Sequence, residues 1–141
     1  MLRQGPISRF LHGAIEYAVG VLLIAAPFLF GFESGAAVAL SVVAGVVVLA
    51  VAASTEGPSS LIDSIPIAAH VLLDFALAGV LIAAPFLFGF SDESGPTALF
   101  IILGVMHLLV TIGTRFKPPR TLADRPGTGA GARDVADKTP R

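Results

Sequence analysis

Three histidines and two carboxylates lie within otherwise apolar stretches of this chain, where an ionisable group is costly. They are His12, Glu16, His70, Asp74 and His107. A central Asp costs about 2.5–3.5 kcal/mol when a helix enters a membrane, so each residue calls for a partner or a function. His12 precedes Glu16, and His70 precedes Asp74, by four positions, which places each pair on one helix face.

Three interpretations of these residues stay open. Histidine–carboxylate hydrogen bonds link helices and fix their register, or the groups form a pathway for a proton or another cation. In the third interpretation they bind Zn, Mn or Fe, although an i, i+4 spacing alone is a weak signal for a metal. The chain has no cysteine, which excludes thiol catalysis and cysteine metal sites. We predict no cofactor and assign no metal ligand from the sequence.

Four apolar stretches carry these residues. Hydrophobic residues make up 55% of the 141-residue chain, and no lysine or arginine occurs between Arg9 and Arg115. A soluble fold of this size has too little interior for so much apolar surface, whereas a bilayer core of about 30 Å takes roughly 20 apolar residues in a helix. We therefore predict an all-α membrane protein with four transmembrane helices, at residues 10–30, 36–53, 65–88 and 97–113.

An internal repeat organises these helices. The segment Ala-Ala-Pro-Phe-Leu-Phe-Gly-Phe occurs at residues 25–32 and again, unchanged, at residues 83–90. The offset of 58 positions also maps His12 onto His70. Each unit holds two helices, so both units insert in the same direction. The predicted fold is two tandem helical-hairpin repeats with parallel pseudo-two-fold symmetry about the membrane normal.

The repeated segment predicts a bend followed by a tight turn. Each copy has a proline, a phenylalanine and a glycine at matched positions: Pro27, Phe28 and Gly31, then Pro85, Phe86 and Gly89. The proline lacks a backbone donor and clashes with the preceding turn, so it kinks or ends its helix. The phenylalanine lies at interface depth, and the glycine suits a left-handed residue that turns the chain into the next helix.

A two-helix unit whose first helix ends in small-Pro-aromatic-Leu-x-Gly-Phe resembles the SPW-repeat family of small bacterial integral membrane proteins. The resemblance covers residues 17–53 and 75–113, and both copies read Ala-Pro-Phe where the family has Ser-Pro-Trp. It implies a four-helix integral membrane protein. It implies no established biochemical activity and supplies no catalytic residues to transfer to this chain.

The five ionisable residues, named here the polar layer, are expected at one depth. At about 1.5 Å per residue, Asp74 lies about 14 Å and His107 about 9 Å in from the same membrane surface. His12 and Glu16 begin near the interface, and solvation is an alternative to burial for this pair. On the second helix a ridge of small residues, Ala37, Ser41 and Gly45, is expected to face inward and let the helices approach closely.

The predicted layout has five segments: a cytoplasmic N-terminus (1–9), a transmembrane hairpin (10–53), a cytoplasmic loop (54–64), a second hairpin (65–113) and a disordered cytoplasmic tail (114–141). The orientation follows from the basic residues that flank the spans on one side of the membrane, since the only charged residues in the turns on the other side are acidic. The tail is rich in Pro, Gly and charge, and it has too little apolar surface to offset chain entropy. The predicted location is the bacterial inner membrane with both termini in the cytoplasm.

No pattern indicates an enzyme, because the chain has no nucleophile elbow, no phosphate-binding glycine loop and no strand pattern. No basic patch supports nucleic-acid binding. The predicted function is a structural or partner-binding bundle, whose partners are the lipid bilayer and a second copy of the chain or another membrane subunit. The alternatives are a proton or cation transporter component that uses the polar layer, and an intramembrane metal-binding protein.

Overall fold

The computed structural model of the protein describes residues 5–116 and consists of four helices. They are α1 (Arg9–Phe30), α2 (Gly35–Ser54), α3 (Ile67–Leu87) and α4 (Ser94–Gly113). All four are long and apolar enough to span a membrane, and no strand occurs in residues 5–116. The predicted all-α membrane fold is confirmed. Residues 1–4 and nearly all of the predicted disordered tail lie outside the described residues.

Close backbone approach joins the helices of each hairpin. α1 packs along α2, and α3 packs along α4. A Cβ added at Gly45 of α2 would lie 2.6 Å from the Gly20 carbonyl oxygen of α1. In the second hairpin, a Cβ at Gly104 would lie 3.1 Å from the Ala78 carbonyl oxygen. Small residues permit such contact in lipid, where packing replaces the hydrophobic effect between helices. The two predicted hairpins are confirmed.

The repeated segments end α1 and α3 in the same way. Gly31 and Gly89 have φ of 63° and 70°, in the left-handed region. The amide after each glycine donates to the carbonyl of the repeat proline, at 3.0 Å from Phe32 to Pro27 and 3.0 Å from Phe90 to Pro85. This bond satisfies a carbonyl at the helix end and closes the turn. Phe28 and Phe86 beside these turns are exposed, on the surface that faces lipid or its headgroups.

Two helix starts differ from the sequence prediction by more than one residue. The third helix begins at Ile67 rather than at residue 65, because Ile65 bonds to the end of α2: its amide donates to the carbonyl of Ser54, the last residue of that helix, at 2.8 Å. The fourth begins at Ser94 rather than at residue 97. Pro96 lies within its first turn, where a missing backbone donor costs nothing.

Apolar side chains fill the half of the bundle nearest the turns. One buried cluster consists of Val19, Leu23, Val48 and Leu103. A second, closer to the turns, consists of Ala37, Leu81, Ala84, Phe90 and Phe100. The two phenylalanine rings of this second cluster meet edge to face, with centroids 5.2 Å apart. Among residues 5–116, the buried ionisable side chains are confined to the other end of the bundle, where α1 and α3 begin and α2 and α4 end. We name it the termini end.

Candidate functional site

All five residues of the polar layer lie together at the termini end. Each is buried, with 2–4% of its surface exposed. They are His12 and Glu16 on α1, His70 and Asp74 on α3, and His107 on α4. His12 and Glu16 are thus buried rather than solvated. The α-helical i, i+4 spacing brings each acid beneath its own histidine, and the approach of α1 to α3 brings the two pairs together.

Each of two imidazoles contacts both carboxylates. His12 Nε2 lies 3.6 Å from Glu16 Oε1 and 3.3 Å from Asp74 Oδ2. His70 Nε2 lies 3.6 Å and 3.3 Å from the same two oxygen atoms. The two Nε2 atoms are 3.4 Å apart. We name these four residues the four-residue cluster, because one ligand atom from each lies within 4.8 Å of those of the other three.

Two threonine hydroxyls fix the orientation of these imidazoles. Thr114 Oγ1 lies 2.8 Å from His12 Nδ1, and Thr55 Oγ1 lies 2.9 Å from His70 Nδ1. Each hydroxyl donates its own proton to the backbone carbonyl four residues before it, at 2.6 Å and 2.7 Å respectively. It therefore accepts from the imidazole, so Nδ1 carries a proton in both histidines. Nε2 of each ring is left to face the carboxylates.

The two hairpins exchange these contacts. Thr114 follows α4 of the second hairpin and holds His12 of the first, whereas Thr55 follows α2 of the first and holds His70 of the second. The backbone repeats the exchange, since Thr114 forms a bridge with Ile7 and Thr55 forms one with Ile65. Matched positions of the two units thus make matched contacts.

The second hairpin adds two polar groups that the first lacks. Counted back from the threonine that follows each second helix, His107 and Thr111 correspond to Val48 and Ala52. Thr111 Oγ1 lies 3.2 Å from Asp74 Oδ2. His107 Nε2 lies 3.5 Å from Asp74 Oδ1 and has no well-formed hydrogen bond within the described part of the chain. Asp74 therefore has more polar neighbours than its counterpart on α1.

Comparison with known families places this layer in context. A family model described as the SPW repeat domain matches residues 10–114. The chain belongs to the SPW repeat domain family. This confirms the resemblance inferred from the two repeated segments. Neither a curated protein nor a solved structure matches the chain. The match runs from the first turn of α1 to Thr114, so all five residues of the polar layer belong to the SPW repeat domain.

Three threonines of the SPW repeat domain were missed by the sequence analysis. Thr55, Thr111 and Thr114 all contact the polar layer. Each hydroxyl also lies in position to donate to the backbone carbonyl four residues before it. The detectable signal was the presence of a threonine directly after the second helix of both units, at Thr55 and Thr114. A hydroxyl at a helix end is commonplace, which is why the residue type alone did not point to this role.

In the part of the chain that the structure describes, cavities adjoin the layer of the SPW repeat domain on two sides. A small one of about 30 Å³ at the termini end is lined by His12, Glu16 and His70 and reaches Arg9 near the surface. Its size suits a single water molecule or ion. A larger one of about 290 Å³ lies between α2 and α3, with almost entirely apolar walls, and reaches Glu16 and Asp74. The first thus lies between the layer and the surface of the termini end, and the second lies between the layer and the apolar side chains of α2 and α3.

Proposed function

We propose that this SPW repeat protein is a non-catalytic protein of the bacterial inner membrane, in which the polar layer joins the two hairpins into one unit. Its termini end faces the cytoplasm. The observation that carries the proposal is the double pairing of His12 and His70, each of which contacts the carboxylate of its own hairpin and that of the other, at 3.6 Å or 3.3 Å.

Membrane energetics explain why such a layer would hold hairpins together. Lipid chains are as apolar as the helix faces, so burial of apolar surface does little to bring two inserted hairpins into contact. An interhelical hydrogen bond in a membrane contributes about 0.6 kcal/mol on average and up to about 1.7 kcal/mol. Separation of the hairpins would also leave Glu16 and Asp74 without the imidazoles of the other unit. Because separation would break several of these contacts at once, their summed free energy would hold the two hairpins together.

Transport of a proton or cation is the second candidate, favoured by the small cavity that links the layer to the termini end. A route across the bilayer needs polar groups or water over its whole length. Toward the turns the layer is followed by the apolar cluster of Val19, Leu23, Val48 and Leu103. In that half, among residues 5–116, Ser41 is the buried polar side chain, and its hydroxyl donates to the Leu23 carbonyl at 2.6 Å. This packing favours the structural role.

The proposed lateral partner is a second copy of the chain or another membrane subunit. Lipid would cover the rest of the apolar surface. Contact between α2 and α3 is sparse, and the cavity of about 290 Å³ between them has apolar walls that an apolar helix or acyl chain would fill. A bundle of four short helices encloses little volume for a large solute, so binding rather than passage suits its size.

Replacement of Asp74 by Asn tests the structural role against transport. The variant and the wild type are reconstituted in liposomes, where proton and sodium flux are measured, and their resistance to unfolding in SDS is compared. We expect no flux above that of empty liposomes for either protein, and lower resistance to unfolding for Asp74→Asn. The matched control is Glu33→Gln, which changes an exposed carboxylate in a turn. Flux in the wild type that a folded Asp74→Asn variant loses would contradict the proposal.

A further inference from the structure

The four-residue cluster brings four potential metal-ligand atoms together, two imidazole nitrogens and two carboxylate oxygens. Nδ1 of each imidazole donates to Thr114 or Thr55, so Nε2 carries either a lone pair, on a neutral ring, or a second proton, on a charged ring. The facing atoms are the oxygens of two carboxylates. Negative charges buried side by side repel strongly in a medium of low dielectric constant. Positive charge must therefore occupy this position, either as protons or as a metal ion.

The spacing of the four atoms matches the edges of a tetrahedron around a metal ion. Zn–N and Zn–O bonds of about 2.0–2.2 Å give tetrahedral ligand–ligand distances of about 3.3–3.6 Å. The measured separations are 3.4 Å between the imidazole nitrogens and 3.3 Å or 3.6 Å from each nitrogen to each carboxylate oxygen. The remaining pair, between the two carboxylates, lies within 4.8 Å. Five of the six edges thus have the required length.

The surrounding groups hold these atoms as the outer contacts of a metal site do. Histidines that bind metals almost always donate their second ring N–H to a neighbouring acceptor, which fixes the tautomer and the ring plane. Thr114 and Thr55 accept in this way from His12 and His70. Ligating carboxylates are hydrogen-bonded in turn, and the Thr111 hydroxyl lies 3.2 Å from Asp74 Oδ2 and 3.0 Å from the His107 carbonyl, the two acceptors that share its proton.

His107 supplies an independent observation that bears on the layer. It is 2% exposed, and its Nε2 is a buried polar atom without a hydrogen bond in the described part of the chain, which calls for an explanation. The atom lies 3.5 Å from Asp74 Oδ1, the oxygen that does not face the two imidazoles. A cation held at Oδ2 would draw Asp74 toward the cluster and orient Oδ1 to accept from His107. His107 is then a positioning residue rather than a ligand.

We propose that His12, Glu16, His70 and Asp74 bind one divalent transition-metal ion of tetrahedral preference, the class to which Zn²⁺ belongs. Two carboxylates neutralise the charge of such an ion, so the site carries no net charge into the membrane, where net charge is costly. Two imidazoles and two carboxylates suit this class of metal better than Mg²⁺ or Ca²⁺, which prefer oxygen ligands alone. The ion would enter from the termini end through the cavity of about 30 Å³.

The inference rests on the proposed function, because the site exists only where the two hairpins meet. Metal content is therefore measured together with hairpin contact. The full chain in lipid nanodiscs is stripped with a chelator, and Zn²⁺, Mn²⁺ or Co²⁺ is then added while bound metal per chain is counted. Hairpin contact is measured as the yield of cross-linking by a short bis-maleimide in the double variant Ile7→Cys/Arg115→Cys. These positions suit the test because the Arg115 amide donates to the Ile7 carbonyl at 2.9 Å, and the chain has no other cysteine.

The expected result is one Zn²⁺ per chain, and Co²⁺ absorption bands of the intense tetrahedral type. We expect His70→Asn to weaken Zn²⁺ binding at least as much as loss of an outer contact does, about 100-fold. The exposed carboxylate variant Glu33→Gln is the control and should keep wild-type affinity. If His70→Asn does not fold, the Co²⁺ spectrum of the wild type decides: tetrahedral bands support the proposal, and weak octahedral bands overturn it.

Two results would overturn the metal site and leave the proposed function standing. One is a wild type that cross-links between Ile7→Cys and Arg115→Cys but takes up no metal, which would assign the positive charge to protons. The other is a folded His70→Asn variant that binds Zn²⁺ as tightly as the wild type does. Failure of the cross-link in the wild-type background would instead remove both the metal site and the proposed function.

Discussion

Thr114 lies 2.8 Å from Nδ1 of His12 across 102 positions of sequence, and it accepts a hydrogen bond from that imidazole. The contact ties the residue after the last helix to the first turn of the first helix. It is repeated between Thr55 and His70 at 2.9 Å. Two hydroxyls that follow helices thus decide which nitrogen of each imidazole faces the carboxylates, and with it the chemistry that the polar layer can perform.

Replacement of Thr114 by Val should destabilise the bundle by about 1–3 kcal/mol, because the buried Nδ1–H of His12 loses its acceptor. Thr55→Val should have a similar effect through His70. The measurement is the free energy of unfolding in mixed micelles of SDS. Ser91→Ala, which removes an exposed hydroxyl in a turn, serves as the control. A Thr114→Val variant as stable as this control would contradict the assigned orientation of the imidazole.

The contributions of Ser41 and Pro27 to stability should be coupled through the backbone carbonyl of Leu23. Pro27 has no amide hydrogen for the Leu23 carbonyl four residues earlier, and the Ser41 hydroxyl donates to that oxygen at 2.6 Å. Hydroxyls commonly satisfy the groups that a proline frees in a membrane helix. Ser41→Ala should therefore cost up to about 1.7 kcal/mol in the wild type, and less in a Pro27→Ala background, where the amide at residue 27 can donate.

A double-mutant cycle on unfolding free energies measures this coupling. The cycle compares the loss of unfolding free energy caused by Ser41→Ala in the wild type with the loss that it causes in the Pro27→Ala background. Equal costs in the two backgrounds would show that the hydroxyl does not substitute for the missing amide. The second repeat is a natural comparison, because Phe100 lies opposite Leu81 there and offers no hydroxyl to the carbonyl that Pro85 frees.

Gly45→Ala should force α1 and α2 apart. The added Cβ would lie 2.6 Å from the Gly20 carbonyl oxygen, which is backbone and cannot rotate away. Overpacking of this kind costs about 1–3 kcal/mol. Gly79→Ala is a matched control within α3, because a Cβ there would contact no atom of another helix within 4 Å, and it should be neutral or slightly stabilising. Equal unfolding free energies of the two variants would contradict the close approach of the helices.

The four helices and the repeat were predictable because their signals are local. An apolar stretch of membrane-spanning length admits few alternatives, and a segment repeated unchanged at residues 83–90 indicates duplication. The members of the polar layer were predictable for a related reason, since an ionisable residue such as Asp74 stands out in an apolar helix. The i, i+4 spacing also predicted the contacts within each pair, such as His70 with Asp74.

The contacts between hairpins were beyond the sequence pattern. Spacing along one helix carries no information about the 3.3 Å separation between His12 and Asp74, which depends on how closely α1 and α3 approach. Ser41 was predicted as a small residue on a packing ridge, and its role as a donor to Leu23 emerges only once α2 lies against α1. The later start of the third helix also depends on tertiary structure, because Ile65 pairs with the loop after α2.

The coupling between His12 and Asp74 tests the central claim, that the polar layer joins the two hairpins, most directly. The two side chains belong to different hairpins and lie 3.3 Å apart. The free energies of unfolding of His12→Asn, Asp74→Asn and the double variant are compared with that of the wild type in the same lipid micelles. We predict a coupling energy of about 0.5–3 kcal/mol, as for residues in contact. If the free-energy cost of the double variant equals the sum of the two single costs to within about 0.3–0.5 kcal/mol, the two sites are independent and the account is contradicted.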